Sequence, residues 1–257
     1  MASTLDLFRL EGRIALVTGS SQGLGLAMAR GLAGAGATVV INGRSAEKVD
    51  AAVAALTAEG LKARSATFDV TAAGPVDDAV ARIEREVGPI DILFNNAGIQ
   101  RRRPLDEFTD SDWRDVMATN LDSVFYLSRA VARHMIPRKR GAIVNTCSVM
   151  SELGRPTIVP YTASKGAVKL MTRGMAAEWG KHGIRVNGIG PGYFATEMNT
   201  ALMNDEKFSS WVAARTPLGR WGKVEELVGA AVYLASDAAS FVTGHVIYVD
   251  GGMTAVV

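Results

Sequence analysis

Short apolar segments alternate with longer helical segments along almost the whole chain, and this alternation limits the possible folds more than any other feature. The apolar segments are near-continuous and rich in β-branched residues, which is typical of strands buried on both faces. The predicted strands are 13–18, 37–42, 62–68, 91–94, 142–147, 184–189 and 245–249. The predicted helices are 22–35, 46–58, 75–87, 112–136, 161–181 and 224–235. The pattern predicts an α/β fold of the Rossmann type, a doubly wound parallel sheet with helices on both faces.

The same alternation continues without a linker, a repeat or a low-complexity segment. A chain of 257 residues is long enough for one large α/β domain. We therefore expect a single domain over residues 1–257. Residues 193–222 fit the alternation least well, and we expect them to form a substrate lid within that domain.

Composition excludes several classes of protein. Lys plus Arg number 28 and Asp plus Glu number 26, a balance that argues against a general nucleic-acid-binding protein. No apolar run reaches the length of a membrane span, and the first residues lack the pattern of a signal peptide. The single cysteine, Cys147, fits a reducing compartment, and the three scattered histidines suggest no metal site. These features predict a cytoplasmic protein.

The segment TGSSQGLG, residues 18–25, contains three glycines, Gly19, Gly23 and Gly25, between the first strand and the first helix. Glycine lets the backbone turn tightly and approach a ligand closely, and the start of a helix presents free N–H groups to an anion. A glycine-rich turn without a ligand is the alternative. The position in the chain favours a loop that holds the pyrophosphate of a dinucleotide.

The end of the second strand reads INGRS, with Asn42, Gly43 and Arg44. An acidic residue here would hold a ribose 2′-hydroxyl and favour NAD. The chain has a guanidinium instead, which suits a 2′-phosphate. The segment therefore favours NADP(H) over NAD(H), although NAD(H) stays possible and Arg44 could be a solvated charge.

Tyr161 and Lys165 lie four residues apart in YTASK, at the start of a predicted helix. Residues with this spacing share a helix face. A nearby ammonium lowers the pKa of a phenol, whose ordinary value is about 10. Such a phenol can move the hydroxyl proton that accompanies a hydride transfer. A surface tyrosine beside an unrelated lysine is the alternative.

Two further polar residues complete a pattern. Ser148 lies thirteen residues before Tyr161, and Asn120 lies within MATNLDSVF. Together with TGSSQGLG, NNAG and PGYFAT, these segments resemble the short-chain dehydrogenase/reductase family along nearly the whole chain. The resemblance implies a catalytic tetrad in which Tyr161 is the acid/base, Ser148 binds the substrate oxygen, Lys165 also binds the nicotinamide ribose, and Asn120 holds a water of the proton relay.

The resemblance also implies a set of cofactor-binding residues and an assembly. Asp69 matches the residue that contacts the adenine, and Leu24 departs from the isoleucine that is usual in the glycine loop. A homotetramer is implied, with contacts through the helices near 112–136 and 161–181 and through the C-terminal region. The implied cofactor residues are Gly19, Ser21, Gln22, Gly23, Leu24, Gly25, Arg44, Asp69, Val70, Asn96, Ala97, Gly98, Tyr161, Lys165, Pro191, Gly192 and Thr196.

Other segments, GIQRRRP, CSVMSELGRP, GPGYFATEM and RTPLGRWG, are similar to the members of this family that act on sugar acids and interconvert D-gluconate and 5-dehydro-D-gluconate. The three adjacent arginines follow the strand 91–94, at the sheet edge where such folds bind ligands. We expect Arg102 to bind the substrate carboxylate, and its two neighbours to be solvated or held by acids such as Asp106 and Glu107. The predicted substrate residues are Arg102, Ser148, Tyr161, Glu152 and Arg155.

Two other functions remain open at the level of sequence. One is another reductase of the family, acting on a 2-dehydro-3-deoxy or 2-deoxy-sugar acid oxidised at carbon 3, or on a 3-oxoacyl thioester, since one fold serves many substrates. The other is a dinucleotide-sensing regulator. The presence of Asn120, Ser148, Tyr161 and Lys165 together argues against the regulator, because a sensor needs no proton relay.

Overall fold

A single parallel sheet of seven strands runs through the molecule, in the order β3-β2-β1-β4-β5-β6-β7. The computed structural model describes residues 3–256, with the backbone alone at residue 198. The strands are β1 (Ile14–Val17), β2 (Thr38–Gly43), β3 (Ala63–Thr67), β4 (Ile90–Asn95), β5 (Gly141–Thr146), β6 (Ile184–Pro191) and β7 (Val246–Val249). All seven predicted strands and the doubly wound fold are confirmed.

Helices cover both faces of this sheet. The α-helices are α1 (Gly23–Gly34), α2 (Ala46–Ala58), α3 (Ala73–Glu86), α4 (Asp110–Met117), α5 (Ser123–Arg138), α6 (Val159–Trp179), α7 (Thr200–Met203), α8 (Glu206–Arg215) and α9 (Val228–Ala235). The helices α7 and α8 lie in the segment predicted as a lid and were not predicted. They are short and have no long apolar stripe, so periodicity does not reveal them.

The helix predicted over 112–136 is interrupted in the structure. α4 passes into a π-helical turn at Ala118–Asp122, and α5 follows. A π-turn adds a residue to the helical repeat and often occurs at a functional site. Here it carries Asn120, one of the predicted catalytic residues.

Two apolar layers hold the helices against the sheet, because successive strand residues point to opposite faces. Leu16 and Leu93 face the layer formed with α3, α5 and α6, where Val76, Val131 and Met175 are buried. Their strand neighbours Val17 and Phe94 face the layer formed with α1, α2 and α9, where Met28, Leu56 and Leu234 are buried. Because both faces are covered, the central strands are mostly apolar, as in the sequence pattern, whereas the edge strand β3 reads ARSAT and exposes three of its five residues.

The strand order changes direction between β1 and β4, since the chain builds β2 and β3 on one side and β5, β6 and β7 on the other. Helices diverge at such a point and leave a crevice beyond the carboxyl ends of the strands. The glycine loop follows β1 and NNAG follows β4, so both motifs meet in that crevice. Within residues 3–256, no helix has the length and apolar character needed to cross a bilayer.

Candidate active site

A cleft of about 550 Å³ opens at the carboxyl ends of the strands. Every residue predicted to bind the cofactor lines this cleft. Ser148, Arg102 and Arg155 line it as well, whereas Asn120 and Glu152 do not. The fold therefore brings together motifs that are more than 150 residues apart in the chain.

Glycine is required in the loop after β1 because two backbones touch there. A Cβ on Gly19 would lie 2.8 Å from the Cα of Ala97, and a Cβ on Gly25 would lie 2.4 Å from the carbonyl oxygen of Gly19. Gly19 and Gly23 also have φ angles of +60°, which residues with side chains rarely adopt. Any side chain at Gly19 or Gly25 would push the loop away from NNAG and widen the cleft.

The amino terminus of α1 fits an anion. Gln22, the residue before this helix, makes no side-chain bond to the first helical amides. Those N–H groups carry the partial positive charge of the helix and face the cleft. Asn96 fixes the loop in place, since its Nδ2 donates to the carbonyl oxygens of Thr18 at 2.9 Å and Gly19 at 3.0 Å. A pyrophosphate would supply the acceptors that the protein itself does not provide.

The outer end of the cleft, beyond β2, is basic. Arg44, Ser45 and Lys48 line it together with Ser21. Asn42 has a structural role instead, because its Nδ2 donates to the carbonyl oxygens of Ala66 and Phe68 at 3.1 and 3.2 Å. Lys48 and Ser45 were missed by the sequence analysis, although Lys48 lies four residues after Arg44 and that spacing was visible.

Asp69 lies beside this basic end. Its carboxylate accepts hydrogen bonds from the backbone N–H and the hydroxyl of Thr71, both at 2.8 Å. These bonds lower the pKa of Asp69, and the charge of Arg44 lowers it further. The carboxylate is therefore ionised and held at the wall of the cleft where the resemblance places the adenine.

The candidate catalytic residues converge from two elements. Ser148 begins the turn after β5, and Tyr161 and Lys165 lie on the first turns of α6. The Lys165 ammonium donates to the carbonyl oxygen of Thr146 at 2.6 Å and lies 5.8 Å from the centre of the Tyr161 ring. Lys165 is almost fully buried, and the resulting desolvation lowers its pKa to about 8.

The pKa of Tyr161 changes in the direction opposite to the prediction. Desolvation by burial raises it, and this effect exceeds the lowering that the neighbouring Ser148 hydroxyl produces. The prediction that Lys165 sets the direction of the shift is therefore wrong for this structure. Burial disfavours the phenolate more strongly than the polar contacts favour it, so the phenol keeps its proton at neutral pH.

Asn120 is fully buried behind the cleft. Its Oδ1 accepts from the backbone N–H of Ile99 at 2.8 Å, and its Nδ2 donates to the carbonyl oxygen of Ile99 at 2.9 Å and to the Ser164 hydroxyl at 3.2 Å. The side chain therefore ties α6 to the segment after β4. A Cβ built on Gly98 would lie 3.4 Å from Asn120 Oδ1 and 3.8 Å from Lys165 Nζ, so the two side chains face one another across this glycine.

The three arginines after NNAG have different surroundings. Arg101 pairs with Asp112 at 3.7 Å and Asp115 at 3.5 Å, and Arg103 pairs with Asp112 at 3.6 Å. The predicted carboxylates Asp106 and Glu107 are not the partners. The carboxylates come from α4 instead, since Asp112 and Asp115 both reach the arginine segment from that helix.

Arg102 differs from its neighbours because it lines the cleft. Its Nε donates to the Gln100 side chain at 3.0 Å. Desolvation by burial lowers its pKa, and repulsion by Arg155 lowers it further. No ion pair of Arg102 with a carboxylate occurs within residues 3–256.

Arg155 places a second guanidinium at the same wall of the cleft as Arg102. Its Nε is buried and finds no hydrogen-bond acceptor in the described part of the chain. Its guanidinium lies 5.2 Å from the centre of the Phe208 ring, which belongs to α8. Two cations that repel one another, one of them with an unpaired buried donor, form a site suited to an anion.

Glu152 was predicted to bind substrate, but the structure turns it away from the cleft. Its carboxylate accepts hydrogen bonds from Lys169 on α6 and, at 2.7 Å, from the hydroxyl of Tyr248 on β7. These two donors lower the pKa of Glu152 and hold its charge on the far side of the Ser148 turn. Sequence patterning could not reveal this, because both partners come from distant elements.

Tyr193, which was not predicted, lines the cleft within the segment 193–222. Its ring centre lies 5.7 Å from Phe208, 5.9 Å from Trp211 and 5.6 Å from Trp221, in edge-to-face contacts. Aromatic contacts of this kind stabilise the packing of Tyr193 on α8 and on the residues that follow this helix. Spacing along the chain gives no sign of this cluster.

Comparisons with known proteins agree with this geometry. A family model described as enoyl-(acyl carrier protein) reductase matches residues 19–254. The chain is 63% identical to a gluconate 5-dehydrogenase of Gluconobacter oxydans, over 97% of each chain. It is 54% identical to a 5-keto-D-gluconate 5-reductase of Escherichia coli, over 96% of this chain and 98% of that protein.

A solved structure gives the same result for the fold. A gluconate 5-dehydrogenase of Burkholderia cenocepacia, crystallised with NADP and tartrate, is 55% identical and superposes with a TM-score of 0.97, over 99% of this chain and 100% of that one. With the glycine loop at the switch point of the sheet and with Ser148, Tyr161 and Lys165 beside it, the chain belongs to the short-chain dehydrogenase/reductase family.

Proposed function

We propose that the protein is an NADP(H)-dependent oxidoreductase that interconverts D-gluconate and 5-dehydro-D-gluconate. The observation that carries this proposal is the cation pair Arg102 and Arg155 in the same cleft as Tyr161. A sugar acid offers a carboxylate for the guanidiniums and a hydroxyl for the phenol. Relatives named for this reaction, at 63% and 54% identity, support the choice of substrate.

The residues of the cleft fit NADP(H). The free amides of α1 would bind the pyrophosphate, and Arg44, with Lys48 and Ser21, would bind the 2′-phosphate. The Burkholderia cenocepacia relative holds NADP in its crystal structure, which supports the same cofactor here. Lys165 would bind the nicotinamide ribose, as the resemblance implies.

The reaction follows from the protonation states in the cleft. Bound NADPH supplies a hydride to carbon 5 of the keto acid. Tyr161, whose raised pKa keeps it protonated, donates its proton to the oxygen on that carbon, and Ser148 donates a hydrogen bond to the same oxygen. In the direction of oxidation, Tyr161 takes the hydroxyl proton of D-gluconate. Lys165 stabilises the phenolate that donation leaves, since its charge lies close to the ring.

We also propose that the protein is a homotetramer in the cytoplasm and that a lid covers its substrate. A homotetramer would cover the exposed apolar side chains of α5 and α6, among them Phe125 and Leu170, which are 43% and 64% exposed. The resemblance also implies a contact through the C-terminal region. Met253 is buried within its own chain, so such a contact would use the other residues of that region. Residues 193–222 would act as a lid, and location in the cytoplasm stays a prediction from cysteine usage.

A panel of substrates tests the proposed function. NADPH oxidation is followed with 5-dehydro-D-gluconate, with other ketoaldonic acids, with a 2-deoxy-sugar acid oxidised at carbon 3 and with a 3-oxoacyl thioester, and each is repeated with NADH. We expect 5-dehydro-D-gluconate with NADPH to give the highest kcat/KM. A higher value for another member of the panel would transfer the assignment to that substrate.

A further inference from the structure

Two side chains without a role in the proposed reaction lie between the two parts of the catalytic group. Ser148 stands on the turn after β5, whereas Tyr161 and Lys165 stand on α6. The distance between the Ser148 hydroxyl and the Tyr161 phenol therefore depends on how this turn is attached to α6. Ser151 and Glu152 make that attachment.

The Ser151 hydroxyl bridges two of the candidate catalytic residues. It accepts the backbone N–H of Ser148 at 3.3 Å and donates to the carbonyl oxygen of Lys165 at 2.9 Å. One oxygen thus connects the start of the turn to the helix at the residue that carries the catalytic ammonium. A short hydroxyl side chain in a one-turn 3₁₀ helix leaves little freedom in this connection.

Glu152 makes a second attachment one residue later. Its carboxylate accepts from Lys169, one helical turn beyond Lys165, and from the Tyr248 hydroxyl at 2.7 Å. The turn is thereby bound to α6 and to β7 at once. Beneath it, Val149, Met150 and Met253 are buried in one apolar cluster, so the turn is fixed from below as well.

We propose that Ser151 and Glu152 are positioning residues for the reaction, which hold the Ser148 hydroxyl beside the Tyr161 phenol and act through Ser148. The inference rests on the proposed function, because it needs Ser148 and Tyr161 to work on the same substrate oxygen. The Ser148 contact also lowers the pKa of Tyr161, against the effect of burial. Loosening the turn is therefore expected to change the pKa of Tyr161 as well as kcat.

Ser151→Ala is the first test. We expect kcat to fall about 10- to 100-fold, since a small misplacement of a catalytic group costs up to about two decades in rate. The KM for NADPH should stay within about twofold. The pH at which gluconate oxidation is half-maximal should move upward, because the contact that lowers the pKa of Tyr161 is weakened. Ser151→Thr keeps the hydroxyl and should retain both the rate and the pH profile.

A double variant shows whether Ser151 acts through Ser148. In the Ser148→Ala background, Ser151→Ala should cause little additional loss, because the hydroxyl that it positions is already absent. An additional loss as large as that of the single variant would contradict the proposal. Melting temperature and NADPH binding, measured on each variant, separate loss of the fold from loss of position.

Glu152→Gln tests the second attachment with a matched control. Glu59→Gln removes a carboxylate that pairs with Arg30, remote from the residues that line the cleft. We expect Glu152→Gln to lower kcat and raise the pH midpoint, and Glu59→Gln to leave both unchanged. If Ser148→Ala is inactive while Ser151→Ala and Glu152→Gln keep the wild-type kcat and pH profile, the inference is wrong. If Ser148→Ala itself keeps full activity, the proposed function fails.

Discussion

The cofactor side and the substrate side of the cleft are built in different ways. On the cofactor side, β1 and α1 bring backbone groups together, namely glycines in contact with NNAG and free amides at a helix start, and only the basic end beyond β2 depends on side chains. On the substrate side, side chains from the segments that follow the strands line the cleft: Arg102 after β4, Arg155 after β5 and Tyr193 after β6. Backbone geometry is common to many dinucleotide-binding proteins, whereas side chains on loops distinguish one substrate from another.

Tyr161→Phe gives the largest expected effect and tests the point at which the two sides meet. The change keeps the ring and removes the proton, and loss of general acid/base catalysis costs about 10²–10⁴ in rate. We expect kcat to fall by that factor in both directions, with NADPH affinity unchanged in a fluorescence titration. Turnover near the wild-type rate would exclude Tyr161 as the acid/base.

Arg44→Ala isolates the cofactor side. A charge-assisted contact with the 2′-phosphate is worth roughly 1.5–3 kcal/mol, so the KM for NADPH should rise by about one to two decades. The KM values for NADH and for gluconate should change little. An equal rise in the KM values for NADPH and NADH would show that Arg44 does not bind the 2′-phosphate.

Gly43→Asp is the complementary change, at the last residue of β2 and one residue before Arg44. A Cβ at this position lies 3.2 Å from the Ser21 hydroxyl, within the basic end of the cleft. A carboxylate there repels a 2′-phosphate and accepts a ribose hydroxyl. We expect the ratio of kcat/KM for NADPH to that for NADH to fall, and an unchanged ratio would show that the phosphate binds elsewhere.

The pH dependence gives a smaller, graded effect. Oxidation needs Tyr161 without its proton, and burial raises the pKa of this group, so kcat for gluconate oxidation should rise with pH through the neutral range and beyond. Reduction needs the protonated phenol, so its kcat should stay level over the same range. If kcat for oxidation no longer rises with pH above pH 7, the pKa of Tyr161 in the complex with cofactor is lowered and not raised.

The sequence predicts the two sides of the cleft to different extents. The seven strands, the glycine loop and the pair Tyr161 and Lys165 follow from local spacing, which apolar periodicity and helix geometry determine directly. The direction in which the Tyr161 pKa is shifted and the placement of Glu152 do not follow from local spacing. Both depend on what packs around a side chain from other elements, and for Glu152 those are Lys169 and Tyr248.

The arginine segment lies between these cases. Extended geometry, which a proline such as Pro104 favours in the residue before it, predicts that Arg102 points away from its neighbours. The structure places Arg102 alone of the three at the cleft. The acids that bind Arg101 and Arg103 come from α4 and were not predicted, because the sequence does not say how that helix folds back over the segment. Alternation within a short extended segment can be predicted from local geometry, whereas the contact of that segment with a helix that packs on it cannot.

The most direct test of carboxylate binding by Arg102 is the KM of Arg102→Ala for D-gluconate, compared with its KM for a neutral polyol that lacks the carboxylate. Loss of one charged hydrogen bond of roughly 1.5–3 kcal/mol predicts a rise of about one to two decades for gluconate. We expect little change in the KM for the polyol and for NADPH. Arg101→Ala is the matched control, since Asp112 and Asp115 hold that side chain. Equal losses on gluconate and on the polyol would contradict the account, because Arg102 would then shape the loop and not bind the carboxylate.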